Sequence, residues 1–353
     1  MNYLVKRGSG SSDFEIHNNS PQKTYDEHTV NWWKFHLKTD SNEIVYEKID
    51  DAMKNINLEN LFSELCGYAA GYFDTTLNLR LEVCDSTISI GQNENTVYMN
   101  SMMSSAYFSF LLTHIYHSYV MDNVNDGVKE TEELFCFRAL LFILNEMCFY
   151  DFEQPADFPD AESIDMLFSK IQNRFNLFNV ASDLFYTSVA FAFFHEISHA
   201  YLKHDTAVYS LEKEIEADRY AYRIFLDFCG DVRQNRIKSK FSECIETYTY
   251  LAPMYLLEFY YTVYYTGNFL CVNVGSVENN TFDDIVKRKE ELFEVFYDWD
   301  GEVDENLAYG VYNAYRDAED SFIRSFIASD KAGYFDKIKK KNLMRGVNRN
   351  DQF

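Results

Sequence analysis

The stretch FAFFHEISHAYLKHD (191–205) carries three of the chain's eight histidines, and two of them, His195 and His199, stand four residues apart. On an α-helix that spacing puts both imidazoles on one face, one turn from each other, where they can grip a single metal ion. Glu196 follows the first histidine and projects about 100° round the helix. It can therefore reach a water at the metal without occupying the metal itself. This is the HExxH arrangement, present as HEISH, and its chemistry is metal-assisted hydrolysis. Phe194, Ile197, Ser198 and Ala200 are uncharged, which suits a helix buried against the core. The competing reading is a core helix whose histidines hydrogen-bond locally.

The segment LEKEIEADRYAYRIFL (211–226) follows, with Glu214 and Asp218 again four apart and on one helical face. Zinc in hydrolases commonly takes three protein ligands and leaves a fourth position for water, and two histidines with a glutamate are one such set. Glu214 can complete it. Asp218, one turn later, can accept the free ring N–H of a ligating histidine, fixing its tautomer and raising its basicity. The plainer reading is that Glu212, Glu214 and Glu216 offset the macrodipole near a helix start. Two other third ligands compete. Asp205 falls six residues after His199, a spacing that needs a glycine to turn the chain, and position 202 is Leu. His204 falls five residues after His199, about 140° round from the ligand face, where it reads as a helix-end histidine near the carbonyl pole.

The elements that must position these residues are mostly helical. Residues 1–30 read as a loose polar N-terminal arm, 31–155 as an N-terminal α+β scaffold region, and 156–353 as the helical region with the HExxH site. NLRLEVCDSTISIG (78–91) and TVYMNSMM (96–103) alternate as a strand pair turning at GQNEN. Helices are expected at 105–121, 132–150, one or two over 161–204, then about 210–230, 240–266, 283–298 and 304–328. Gly230 stands where a C-cap would be, and PADFP (155–159) breaks the chain. The fold class is α+β, predominantly α-helical, with a small β element in the N-terminal half. His114 and His117, three apart on one of these helices, could pair but read as core or surface histidines.

Bulk properties narrow the partners. A formal charge of −24 repels phosphate backbones and anionic lipid, so nucleic acid is not expected and a basic protein partner is. The basic run KIKKKNLMRGVNR (337–349) reads as a solvated end. The abundance of Tyr and Phe, 27 and 31 residues, implies thick aromatic core layers. Seven scattered cysteines without a CxxC pair, and a start lacking a signal-peptide core, favour free thiols in a reducing cytoplasm. LAPMYLLEFYYTVYYTGNFL (251–270) contains Pro253 and Glu258 and reads as a buried helix rather than a membrane span.

HEISH followed by EIEAD resembles the gluzincin pattern of HExxH with a downstream E-x-x-x-D, and is similar to the E-x-x-A-D form of M48-type peptidases. In setting it resembles the Lit-like peptidases of family U49, intracellular bacterial HExxH proteins that include one acting in phage exclusion by cutting a translation factor. The resemblance covers about 195–226. It implies a zincin-like core with an active-site helix and a following ligand helix. It also implies Zn2+ held by His195, His199 and Glu214, with Glu196 as general base, in a defence- or toxin-type protease acting on a specific host protein.

The tetrahedral intermediate of peptide hydrolysis needs a donor besides the metal. No histidine follows His204, so a tyrosine or arginine is required, and Tyr255, Tyr260, Tyr261, Tyr264 and Tyr265 are candidates that equally suit core packing. Two alternatives stand beside the peptidase: a zinc hydrolase of a non-peptide substrate, and a non-catalytic interaction protein with a vestigial site.

Overall fold

Apolar residues recur at helical spacing through most of the chain, and helix is what they form. The computed structural model describes residues 3–7, 14–17, 39–44, 58–73, 79–84, 90–93, 96–123, 126–144, 175–204, 209–270, 282–336 and 339–340. The long helices among them are α1 (Leu58–Tyr72), α2 (Ser101–Asn123), α3 (Asp126–Ile143), α4 (Phe175–Leu202), α5 (Leu211–Arg233), α6 (Ala252–Phe269), α7 (Phe282–Asp298) and α8 (Glu305–Lys331). Short extended segments β1 (Tyr3–Arg7), β2 (Phe14–His17), β3 (Arg80–Cys84), β4 (Ile90–Asn93) and β5 (Thr96–Asn100) run in the order β2-β1-β3-β5-β4, with β3 and β5 parallel and the other neighbours antiparallel. The described protein is predominantly helical.

The centre is α4, which packs against α1, α2, α5 and α6. Leu184, Val189, Phe191, Phe193, Phe194 and Ile197 are all buried, so this helix is apolar on every face, the pattern of a helix enclosed by others. By length and composition Leu177–Leu202 would also cross a membrane, yet most of it is buried inside the protein. Its buried hydroxyls all find acceptors. Ser198 Oγ donates to Phe194 O (2.8 Å), Thr187 to Asp183 O (2.6 Å) and Ser188 across to Ala252 O of α6 (3.0 Å), so these hydroxyls do not weaken the core.

Three boundaries differ from the sequence expectation. Gly230 does not cap its helix: α5 runs on to Arg233, and Asn235 takes the left-handed turn instead (φ 55°), with Arg236 N donating to Asp231 O at 2.8 Å. A Cβ at Gly230 would stand 3.6 Å from the Trp299 ring, an ordinary van der Waals contact, so space does not demand glycine there either. The segment 240–266 is not one helix but two 3-10 turns, Lys240–Glu243 and Thr247–Leu251, followed by α6. Pro253 explains the start of α6, because its missing N–H is tolerated only in a first turn. Ser101–Met103 belong to α2 rather than to a strand, in keeping with the helix preference of Met and Ala. The candidate span at 251–270 coincides with α6, whose Met254, Tyr255, Leu257 and Phe259 are buried in the core. PADFP and most of the basic run at 337–349 lie outside the described residues.

His114 is a core residue of α2. Its Nδ1–H donates to Phe110 O (2.9 Å) and its ring stacks on Tyr315, 4.8 Å between centroids. Burial lowers its pKa from 6.5 to about 3. The unfolded chain therefore takes up a proton below pH 6.5 that the folded chain refuses, and stability falls as pH drops from 6.5 towards 3, by at most ~1.4 kcal/mol per pH unit from this residue. Urea unfolding followed between pH 7 and pH 4 should show a flatter loss of stability in His114→Leu than in the wild type. Parallel curves would contradict this role.

Candidate metal centre

The site forms where the last turns of α4 meet the first turns of α5, and these two helices pack side by side. HEISH lies at the buried end of α4: His195, Glu196 and His199 are all nearly inaccessible to solvent. The two imidazoles converge through the same atom, with His195 Nε2 and His199 Nε2 3.0 Å apart. Glu214 faces both from α5, its Oε2 3.3 Å from His195 Nε2 and its Oε1 3.4 Å from His199 Nε2. Donors bound tetrahedrally to zinc at ~2.0–2.1 Å stand about 3.3–3.4 Å from one another. Among the described residues, His195, His199 and Glu214 are the group of metal-ligating side chains able to hold an ion. The donor set fits Zn2+ in type, number and spacing.

Electrostatics point the same way. Burial alone would raise the Glu214 pKa, but hydrogen bonds from His195 and His199 and the Arg288 charge hold it far below the usual carboxylate range. Burial also disfavours the His195 cation, yet Asp218 and Glu214 overcome that and raise its pKa to about 10. The site thus draws positive charge strongly enough to keep a buried imidazole protonated, and a divalent ion would displace that proton. His199 differs: burial lowers its pKa. Glu196 is pushed up to about 8 by burial, with His195 and Arg288 lowering it and Glu214 and Asp218 raising it.

Asp218 stands where the sequence spacing placed it. Its Oδ1 lies 2.9 Å from His195 Nδ1, on the far side of the ring from Glu214. Asp218 is itself held by a residue far along the chain, which spacing within EIEAD does not reveal. Arg288 of α7 grips it with two bonds, Nε to Oδ2 at 2.6 Å and a terminal nitrogen to Oδ1 at 2.9 Å. The same guanidinium reaches Glu214 at 3.3 Å. Its neighbour Lys289 turns the other way, to Glu258 of α6 at 2.5 Å, where Tyr312 and Arg316 of α8 also donate. Two adjacent cations on α7 therefore tie it to α5 on one side and to α6 and α8 on the other.

His204 stands just past the end of α4 and outside the metal-ligating group, as expected, but its ring points elsewhere than helical counting predicts. Counting residues round an extended helix sent it away from the ligand face, but α4 ends first, and the turn at Lys203 returns its ring to His199 with Nδ1 to Nδ1 at 2.9 Å. Asp205, the alternative third ligand, lies outside the described residues. The tyrosines of α6 sit in aromatic contacts of their own: Tyr255 on Tyr312 and Tyr315, Tyr260 on Tyr264, Tyr261 on Tyr265. Tyr209, just before α5, donates to Asp284 Oδ2 of α7 at 3.3 Å. Burial raises its pKa, and the charges of Asp284, Arg288 and Glu214 all act on it.

Replacing Arg288 with Met would leave Asp218 as an uncompensated buried charge beside His195, and should cost about 3–5 kcal/mol in urea unfolding of the metal-free protein. Arg219→Met, which removes a half-exposed partner of Glu291, should cost less than about 1 kcal/mol. Equal effects would contradict the central placement of Arg288.

Residues 95–260 match the family model for Peptidase U49. No curated protein and no solved structure matches the chain. The matched segment opens at β5 and runs into α6, so it contains HEISH, Glu214 and Asp218 and stops short of Arg288. Over residues 95–260, a little under half of its length, the chain is thus similar to the peptidase U49 family.

Proposed function

We propose that this protein is a zinc-dependent peptidase, with His195, His199 and Glu214 as ligands and Glu196 as general base. The observation that carries the reading is the meeting of two imidazole Nε2 atoms and one carboxylate within 3.4 Å of each other, beside a buried Glu196. Zinc held there would lower the pKa of water towards neutrality and polarise the scissile carbonyl. Glu196 would take the proton from the attacking water and pass it to the leaving amine. Burial raises its pKa to about 8, which makes it a stronger base once ionised, and a divalent ion bound beside it would lower that value and favour the ionised form. Asp218 and Arg288 hold His195 in place. Tyr209 is the side chain this reading assigns to the developing oxyanion, because its hydroxyl bond to Asp284 is long, 3.3 Å, and can be exchanged for a substrate oxygen.

The reading extends to a zincin-like core, in which the active-site helix and the following ligand helix are supported by a small β element. The substrate is a protein or peptide. The acidic chain favours a basic one, since complementary charge speeds encounter and rejects acidic competitors. A cytoplasmic, defence- or toxin-type protease that cuts a specific host protein is the setting in which this family resemblance makes sense.

Glu196→Gln is the direct test. It preserves shape and the metal donors but removes the base, so cleavage should fall by about 10^2–10^4-fold with zinc retained. Comparing N-terminal peptides from cells expressing wild type and Glu196→Gln would identify the substrate bond. Equal cleavage by the two proteins would sink the mechanism.

A further inference from the structure

The turn that ends α4 brings back a histidine that the metal set does not use. Lys203 adopts the left-handed conformation (φ 56°) without being glycine, at a cost of about 1–2 kcal/mol. His204 N donates to His199 O across 3.1 Å, closing the turn. The result is that the His204 ring, almost buried, meets His199 Nδ1 at 2.9 Å while its Nε2 lies 3.2 Å from Glu216 Oε2 on α5. Helix strain, a ring–ring contact and a carboxylate from a second helix thus converge on one imidazole.

The proton count along this chain has one consistent solution for a neutral His204. An ionised carboxylate only accepts, so His204 Nε2 carries the hydrogen and donates it to Glu216. His204 Nδ1 is then a lone pair, and His199 Nδ1–H must donate into it. That leaves the His199 lone pair on Nε2, the atom that faces His195 Nε2 at 3.0 Å and Glu214 Oε1 at 3.4 Å. Asp218 does the same for His195 in a single step. We propose that His204, held by Glu216, is a positioning residue that fixes His199 in its metal-ligating tautomer and orientation. This rests on the zinc-centre reading. It also gives Glu216 a task distinct from that of a helix-start charge.

The test is the zinc affinity of the metal-free full chain, measured by competition with a chromophoric chelator. His204→Phe keeps a ring but offers no lone pair, and affinity should fall about 10–100-fold. His204→Gln restores an acceptor and a donor and should recover most of that loss, which a purely space-filling role would not predict. Glu216→Ala, at an exposed helical position where alanine is well tolerated, should weaken binding in the same direction without unfolding the protein. Zinc binding unchanged in both His204→Phe and Glu216→Ala, or no recovery in His204→Gln, would overturn the proposal. A wild type that binds no zinc, or a His199→Ala variant that binds it equally well, would instead overturn the metal-centre reading beneath it.

Discussion

Asp218 is fully buried and charged, and the packing of three helices follows from the need to compensate it. A carboxylate taken out of water without partners costs far more than a small domain can spare, so donors have to meet it. Arg288 supplies a two-pronged grip from α7, and His195 supplies a ring nitrogen from α4. Arginine suits the task because its planar fork matches both carboxylate oxygens and its charge persists on burial. A one-residue slip of any of the three helices would turn its contributing side chain about 100° and leave the charge unpaired. The register that satisfies Asp218 also aims His195 Nε2 at His199 and Glu214. Stability and site geometry are therefore one requirement.

The surroundings keep that geometry rigid. Around HEISH, α4 is apolar on all sides, so the imidazoles project from a helix that cannot rotate without disturbing a close-packed core. On the other side, α7 is tied to α6 and α8 through Lys289, Glu258, Tyr312 and Arg316, which prevents Arg288 from drifting away from Asp218. A ligand set held on helices and backed by a second layer of partners is preorganised, and less reorganisation is needed when an ion or substrate arrives.

Much of this was legible in the residues. Spacing of four within HEISH and within EIEAD placed two histidines and two carboxylates on facing helix stripes, and the structure brings all four together. The predominance of helix was legible from periodicity. What spacing could not supply was the partner far along the chain. Arg288 comes 70 residues after Asp218, yet it left a trace: Arg288 and Lys289 occupy the apolar stripe of α7 between Ile285 and Leu292, where a cation needs a buried anion opposite. The direction of the His204 ring does not follow from helical counting, because a left-handed residue, not a glycine, ends α4 at Lys203. Gly230 shows the converse: glycine is common just past a helix end, yet α5 continues through it to Arg233.

X-ray absorption at the zinc edge, on protein purified from zinc-supplied cells, tests the centre most directly. The arrangement predicts one zinc per chain with two imidazole nitrogens and oxygen donors at ~2.0–2.1 Å and no sulfur. A protein that carries no zinc, or a spectrum showing sulfur or a third imidazole in the ligand shell, would contradict it.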